Sequence, residues 1–191
     1  MRWLGLDGSE SVEEATNGTV RFADLAEGIP VEFSRQGPWD WAMSIEVAEH
    51  VPIDREALFV HSLIAHARLG VILSWAKPNQ AGWHHVNCQP ERYIRCAFAQ
   101  LGFRADPDLT HTLRGTVIPA RSGTKTFRRE CSWLRDTLMV FRRPIDSEGE
   151  KIKSVFQIPT RPTPGWSEAY HKHVVTVCNR TVSRCGSTVN G

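Results

Sequence analysis

Several things are scarce in this chain of 191 residues, and each scarcity excludes something. There is no charge excess: 23 Lys and Arg stand against 21 Asp and Glu, a formal net charge of +2. That balance gives no support to bulk binding of nucleic acid or of an anionic membrane. No apolar run approaches a membrane span, so no membrane partner is expected. The opening MRWLGLDGSE lacks the basic segment and apolar core of a secretory leader. The cysteines, Cys88, Cys96, Cys131, Cys178 and Cys185, are odd in number and form no C-x-x-C pair. They read as reduced thiols in a cytoplasmic or otherwise intracellular protein. What is present is ordinary for a globular domain: 41% hydrophobic and 23% charged residues, enough for one real core.

Short apolar strands alternate with helical patterns. Residues 3–6, 19–23, 39–44, 71–75 and 137–141 read as strands. Asp54 is an apt cap for a helix with Ala57, Val60, Leu63, Ile64 and Ala67 on one face, stopping near Gly70. Pro90 suits the first turn of a second helix, whose Tyr93, Ile94, Ala97, Phe98 and Leu101 form a stripe ended by Gly102. Strands separated by helices predict an α/β fold with a Rossmann-like, doubly wound and mostly parallel sheet. There is no internal repeat.

The richest stretch is WDWAMSIEVAEHVP at 39–52. Glu46, Glu49 and His50 follow a strand directly, where open α/β sheets bind ligands. A helical turn there sets the three groups on one face. They then suit a divalent cation or acid–base chemistry, the plainer alternative being surface charge.

Six motifs occur in order: LDG at 6–8, FADL at 22–25, the 39–52 run, GVILSWA at 70–76, HHVN at 84–87 and WLRDTLMVFRR at 133–143. Together they resemble the later part of a class I S-adenosylmethionine-dependent methyltransferase. The likeness is to methyltransferase-like proteins that carry EVxEHIP, HVN and TLMVFRR. The resemblance implies that Asp7 holds the ribose hydroxyls of S-adenosylmethionine and that Asp24 sits near its adenine. It also implies that Ser44 and Glu46 line the cleft near the methyl donor. Asp7 and Asp24 equally suit plain turns.

Glu46-x-x-Glu49-His50 is similar to the E-x-x-E-H metal site of small-RNA 2′-O-methyltransferases and ubiquinone-pathway O-methyltransferases. By that likeness the metal ligands are Glu46, Glu49, His50 and His85, with His84 beside the last. Mg²⁺, Mn²⁺ and Zn²⁺ all suit such a set. Glu49 and His50 bracing the next helix is the metal-free alternative. Glu46 and His85 are the expected catalytic pair, His85 as a general base on an acceptor hydroxyl or amine. Asn87 either orients the substrate or braces its loop. Trp75 and Trp83 wall the cleft or pack in the core.

One part of the family pattern is missing. A complete domain opens with a strand and a D/E-x-G-x-G-x-G turn, and no such segment occurs here. In the family's strand order, 3-2-1-4-5-7-6, the missing strand is central. The expectation is therefore an N-terminally truncated, incomplete methyltransferase-like domain over 1–143. It binds its cofactor poorly by itself and self-associates through exposed sheet edges. The alternative is a non-catalytic interaction module. Residues 144–191 read as a mostly disordered tail. There His171, His173, Cys178 and Cys185 match no common zinc spacing. The methyl acceptor is not encoded in any of these features, and nothing in the charge favours a nucleic acid.

Overall fold

The alternation of strands and helices in the sequence is carried through in the computed structural model, which describes residues 2–116, 133–144, 158–159, 161–180 and 185. In chain order the elements are β1 (Gly5–Asp7), α1 (Val12–Ala15), β2 (Val20–Phe22), α2 (Val31–Ser34) and β3 (Trp39–Ser44). A 3-10 turn (Ala48–His50), α3 (Glu56–His66), β4 (Ala67–Leu73), α4 (Glu91–Gln100) and β5 (Arg104–Ala105) follow. Then come α5 (Pro107–Thr116), α6 (Leu134–Thr137), β6 (Met139–Arg142) and α7 (Trp166–Tyr170), which continues as a π-helical turn, His171–Val175.

The strands form two sheets. β1 and β2 pair in parallel, and a second sheet has the order β3-β4-β6-β5. The β3–β4 ladder is parallel, while β6 runs antiparallel to both β4 and β5. Among the described strands of this sheet β3, β4 and β5 therefore run the same way and β6 alone is reversed, in keeping with the expected mostly parallel sheet. Among the described residues β1 and β3 share no ladder, and neither pairs with another strand on its remaining edge. Met43 on β3 is 71% exposed.

The core lies between the larger sheet and α3, α4 and α7. Val71, Leu73, Met139 and Phe141 of the sheet pack with Phe59, Ile64, Ile94 and Phe98 of the helices. Phe98 stacks on Phe141 with ring centroids 4.2 Å apart. The stripe predicted for α4 is buried as expected, and Gly102 ends it at φ +81°. α3 differs from expectation. It is buried on more than one face, Phe59 and His61 included, because α7 covers its other side. Trp166 of α7 donates its indole N–H to the Ala57 carbonyl at 2.7 Å. Asp54 makes no side-chain cap, and Gly70 does not end the helix. Gly70 lies inside β4, where a Cβ would stand 2.5 Å from both the Trp41 ring and the Phe141 carbonyl oxygen. The glycine is there for close approach across the sheet.

Two features of the C-terminal part depart from the sequence reading. Residues 161–180 are folded, with Trp166, Tyr170 and Val174 in the core. The remainder of the proposed tail, apart from residues 144, 158–159 and 185, falls outside the described residues. The cysteines expected as free thiols are paired, Cys88 with Cys185 and Cys96 with Cys178, at Cα separations of 5.3 and 5.6 Å. Cys131 falls outside the described residues. Sequence spacing misses such pairs because each partner is 82 or 97 residues away. Among the described residues no helix is long and apolar enough to cross a membrane.

Candidate functional site

The carboxyl ends of β1, β2 and β3 open onto one cavity of about 320 Å³, lined by Asp7, Gly8, Asp24, Leu25, Ala26, Glu46, Val47, His50 and Val51. Ligand sites in open α/β folds occupy this position. Asp7 and Asp24 keep their turn roles as well: Oδ1 of each accepts the backbone N–H two residues on, Ser9 at 2.7 Å and Ala26 at 3.0 Å. The plain turn reading and the ligand reading therefore hold together, because an Asx turn uses one carboxylate oxygen.

Glu46 adopts a left-handed backbone, φ +57°. Its N–H donates to Ser74 Oγ at 2.7 Å, and the Ser74 hydroxyl donates back to Glu46 Oε1 at 2.8 Å. Ser74, at the end of the strand sequence of β4, fixes the carboxylate at the cavity rim. The sequence reading missed Ser74, whose signal is faint: a lone hydroxyl within an apolar LSWA run. Ser44, expected at the cofactor, does not line the cavity. Its side chain is buried, and Oγ has no hydrogen-bond partner.

The positive φ at Glu46 also corrects the expected helical face. The 3-10 turn begins at Ala48, so Glu46 lies outside it. The ligand atoms of Glu49, His50 and His85 instead gather within 4.8 Å of one another, without Glu46. Glu49 is fully buried, and among the described residues neither carboxylate oxygen meets a well-formed hydrogen-bond partner. Burial, reinforced by the nearby Glu46 charge, pushes its pKa up to about 7. His85 Nε2 stands 4.0 Å from Glu49 Oε1, and its ring meets the His50 ring edge-on at 5.1 Å. Burial lowers the His85 pKa, so its imidazole is neutral near pH 7.

Backbone carbonyls set the tautomers of both imidazoles. His50 donates Nδ1–H to the His84 carbonyl at 3.2 Å, and His85 donates Nδ1–H to the Gln80 carbonyl at 3.4 Å. Each Nε2 then carries a lone pair, the arrangement typical of metal-ligating histidines. His84 turns outward, at φ +54°, and meets the exposed Trp83 ring edge-on.

The 84–89 loop is pinned from behind. The Glu49 carbonyl accepts the N–H groups of Val86 and Asn87, at 2.8 and 3.0 Å. Trp75, a core residue, donates its indole N–H to the Asn87 carbonyl at 2.6 Å. Neither Trp75 nor Trp83 lines the cavity. Asn87 is a brace: its amide donates to Glu56 Oε2 at 3.1 Å. The buried Glu56 also accepts from the hydroxyls of Tyr93 and Tyr170 (the latter at 3.0 Å), and Arg180 Nη1 lies 3.6 Å from Oε1. Burial and the Glu56 charge raise the pKa of both phenols, which stay protonated as donors. No local sequence signal marks this hub, because its members come from 56, 87, 93, 170 and 180 and follow no local period.

Comparison with protein-family models and with curated proteins finds no match. Among solved structures, the chain is similar to magnesium protoporphyrin IX methyltransferase from Synechocystis PCC 6803 with bound SAH. The TM-score is 0.43 and the identity 18%, over 73% of this chain and 62% of that one.

Proposed function

We propose that the cavity at the ends of β1, β2 and β3 is the cofactor cleft of an S-adenosylmethionine-dependent methyltransferase acting on a hydroxyl or amine acceptor. The observation that carries this is the convergence of Asp7, Asp24 and Glu46, from the ends of β1, β2 and β3 in turn, on a single cavity. The ordered motifs of the sequence support the same reading. So does the strand order: β1-β2 in one sheet and β3-β4-β6-β5 in the other each match a stretch of the family order.

The residues present fit the cofactor. Asp7 and Asp24 each have carboxylate capacity beyond their own turn for ribose hydroxyls and an exocyclic amine. Leu25, Val47 and Val51 supply apolar walls for a ring. Bound S-adenosylmethionine supplies an already activated methyl group, so the protein's part is positioning and exclusion of water. Glu46, held by Ser74, sits at the rim where an acceptor enters.

The Glu49, His50 and His85 group fits a divalent cation such as Mn²⁺, Mg²⁺ or Zn²⁺. Its two orphaned buried oxygens and two presented imidazole lone pairs form a donor set without a hydrogen-bond role of its own. Such an ion supplies Lewis acidity toward an acceptor hydroxyl. Without it, the neutral His85 serves as the base. His85 does not line the cavity, whereas His50 does, so proton transfer from an acceptor in the cleft runs past His50.

The test is calorimetry of the full chain with S-adenosylmethionine, with and without Mn²⁺. Because no described strand joins β1 to β3, weak saturable binding is expected, about tenfold weaker in Asp7→Ala. It should tighten when a strand with a glycine-rich turn is supplied upstream in the same polypeptide. No binding even then, or binding indifferent to Asp7→Ala and Asp24→Ala, overturns the reading. The non-catalytic alternative rests on the same open edges and on the exposed Met43. A chain that forms stable oligomers through those edges, and never binds the cofactor, is that module.

A further inference from the structure

The C-terminal segment is fastened to the loop that carries His85, and the fastening includes two bonds that a change of redox state can break. Cys96, on α4, pairs with Cys178, just after the π-helical turn. Cys88, within the 84–89 loop, pairs with Cys185. Between these staples, Arg180 reaches the Ile53 carbonyl at 3.3 Å and the Glu56 carboxylate at 3.6 Å. Glu56 is the group that holds Asn87 and, through it, the loop. Cys88 Sγ also lies 3.9 Å from His85 Nδ1. Cys88 is fully buried, while Cys185 is half-buried and open to an incoming thiol.

We propose that the Cys88–Cys185 bond, backed by Cys96–Cys178, is a thiol–disulfide switch that sets how firmly the C-terminal segment clamps the His85 loop. In the oxidised chain the segment is held at both ends, and Arg180 is kept against Glu56. In the reduced chain the clamp rests on noncovalent contacts alone, and the loop gains freedom. The partner is a dithiol. Its thiolate attacks Cys185 Sγ, and Cys88 Sγ leaves with the bonding electron pair. The second thiol then displaces Cys185 Sγ, and the reductant departs as a disulfide. Its two thiol protons and two electrons end on Cys88 and Cys185. The proposal rests on the reading of 84–89 as the site loop and needs neither cofactor nor metal.

The experiment compares the full chain oxidised with glutathione disulfide and reduced with dithiothreitol. Alkylation counts the thiols, and NMR hydrogen exchange follows the Val86 and Asn87 amides against core amides of α3 and β4. The expected result is four cysteines protected in the oxidised chain. Exchange at Val86 and Asn87 should rise about tenfold or more on reduction, with core amides unchanged. Cys185→Ser should show the fast loop exchange without reductant. Three results overturn the switch: full alkylation after oxidation, equal loop exchange in both states, or core amides that speed up with the loop. The last makes the bonds plain structural staples. Failure to bind S-adenosylmethionine leaves all these readouts intact, so the two proposals fail separately.

Discussion

The two sides of the candidate site are built differently. On one side, Asp7 and Asp24 sit exposed at the ends of three-residue strands in a two-stranded sheet, held by their own turns. On the other, Glu49, His85, Asn87 and Glu56 are largely removed from water and tied to the main core by a continuous polar network. The exposed side supplies charges that remain hydrated until a ligand arrives. The buried side supplies groups whose geometry is fixed beforehand, at a desolvation cost that the fold has to cover. On the proposed reading, recognition falls to the first side and preorganised chemistry to the second.

The contrast is broken or sharpened by substitution, and the largest effect belongs to the buried side. Glu56→Ala strands two phenols, the Asn87 amide and Arg180 at once, so a loss of about 3–5 kcal/mol is expected in urea unfolding. Glu56→Gln should lose less. A cost under about 1 kcal/mol, as for a surface group, would erase the distinction between the two sides.

Glu49 comes next, through its pH dependence. Its folded pKa, raised to about 7 from 4.5, means that the folded chain holds a proton which the unfolded chain has released between those values. Stability of the metal-free chain therefore falls as pH rises from about 4.5 to 7 and levels off above. Glu49→Gln should remove that slope. The substitution should stabilise the chain by an amount on the order of 3 kcal/mol at pH 8 and have little effect at pH 4. Unfolding midpoints across this range decide it, and parallel curves for the two proteins would mean that Glu49 has a partner. Saturating Mn²⁺ should reverse the preference, because the ion binds the ionised carboxylate of the original chain.

Gly70→Ala tests the sheet between the two sides. Its Cβ meets the Trp41 ring and the Phe141 backbone, and about 1–3 kcal/mol should be lost. Thermal unfolding reads this directly. Asp7→Ala and Asp24→Ala should change stability least, by about 0.5 kcal/mol, since both are exposed. Each should nonetheless weaken S-adenosylmethionine binding by about tenfold, roughly 1.4 kcal/mol. A large stability loss in either would show that the exposed side is structural after all.

How far these regions were legible follows from where their information lies. β3 matched its predicted bounds, and the α4 stripe was buried as read, because both signals repeat locally. Asp7, Asp24 and Glu46 were singled out, and line the cavity, because each stands at or just beyond the end of a strand. The helical face of Glu46, Glu49 and His50 failed at one backbone angle, the positive φ of Glu46, which spacing does not encode. Gly70 was misread because close approach to Trp41 and Phe141 resembles a helix stop when only one strand is visible. The folded stretch 161–180 was missed for the same reason: Trp166 and Tyr170 look isolated until α3 is placed beside them.

By itself the sequence determined the alternation of strands and helices, the carboxylates at strand ends and the histidines of the 84–87 run. These depend on local periodicity and on turn chemistry, which short stretches carry whole. Tertiary structure alone decided that Glu49 would be buried without a partner and that Glu56 would gather Asn87, Tyr93, Tyr170 and Arg180. It also decided that four cysteines would meet across 82 and 97 residues. Burial and long-range pairing are properties of the packed chain: what a carboxylate or a thiol does depends on which distant residues share its volume, and no local spacing records that.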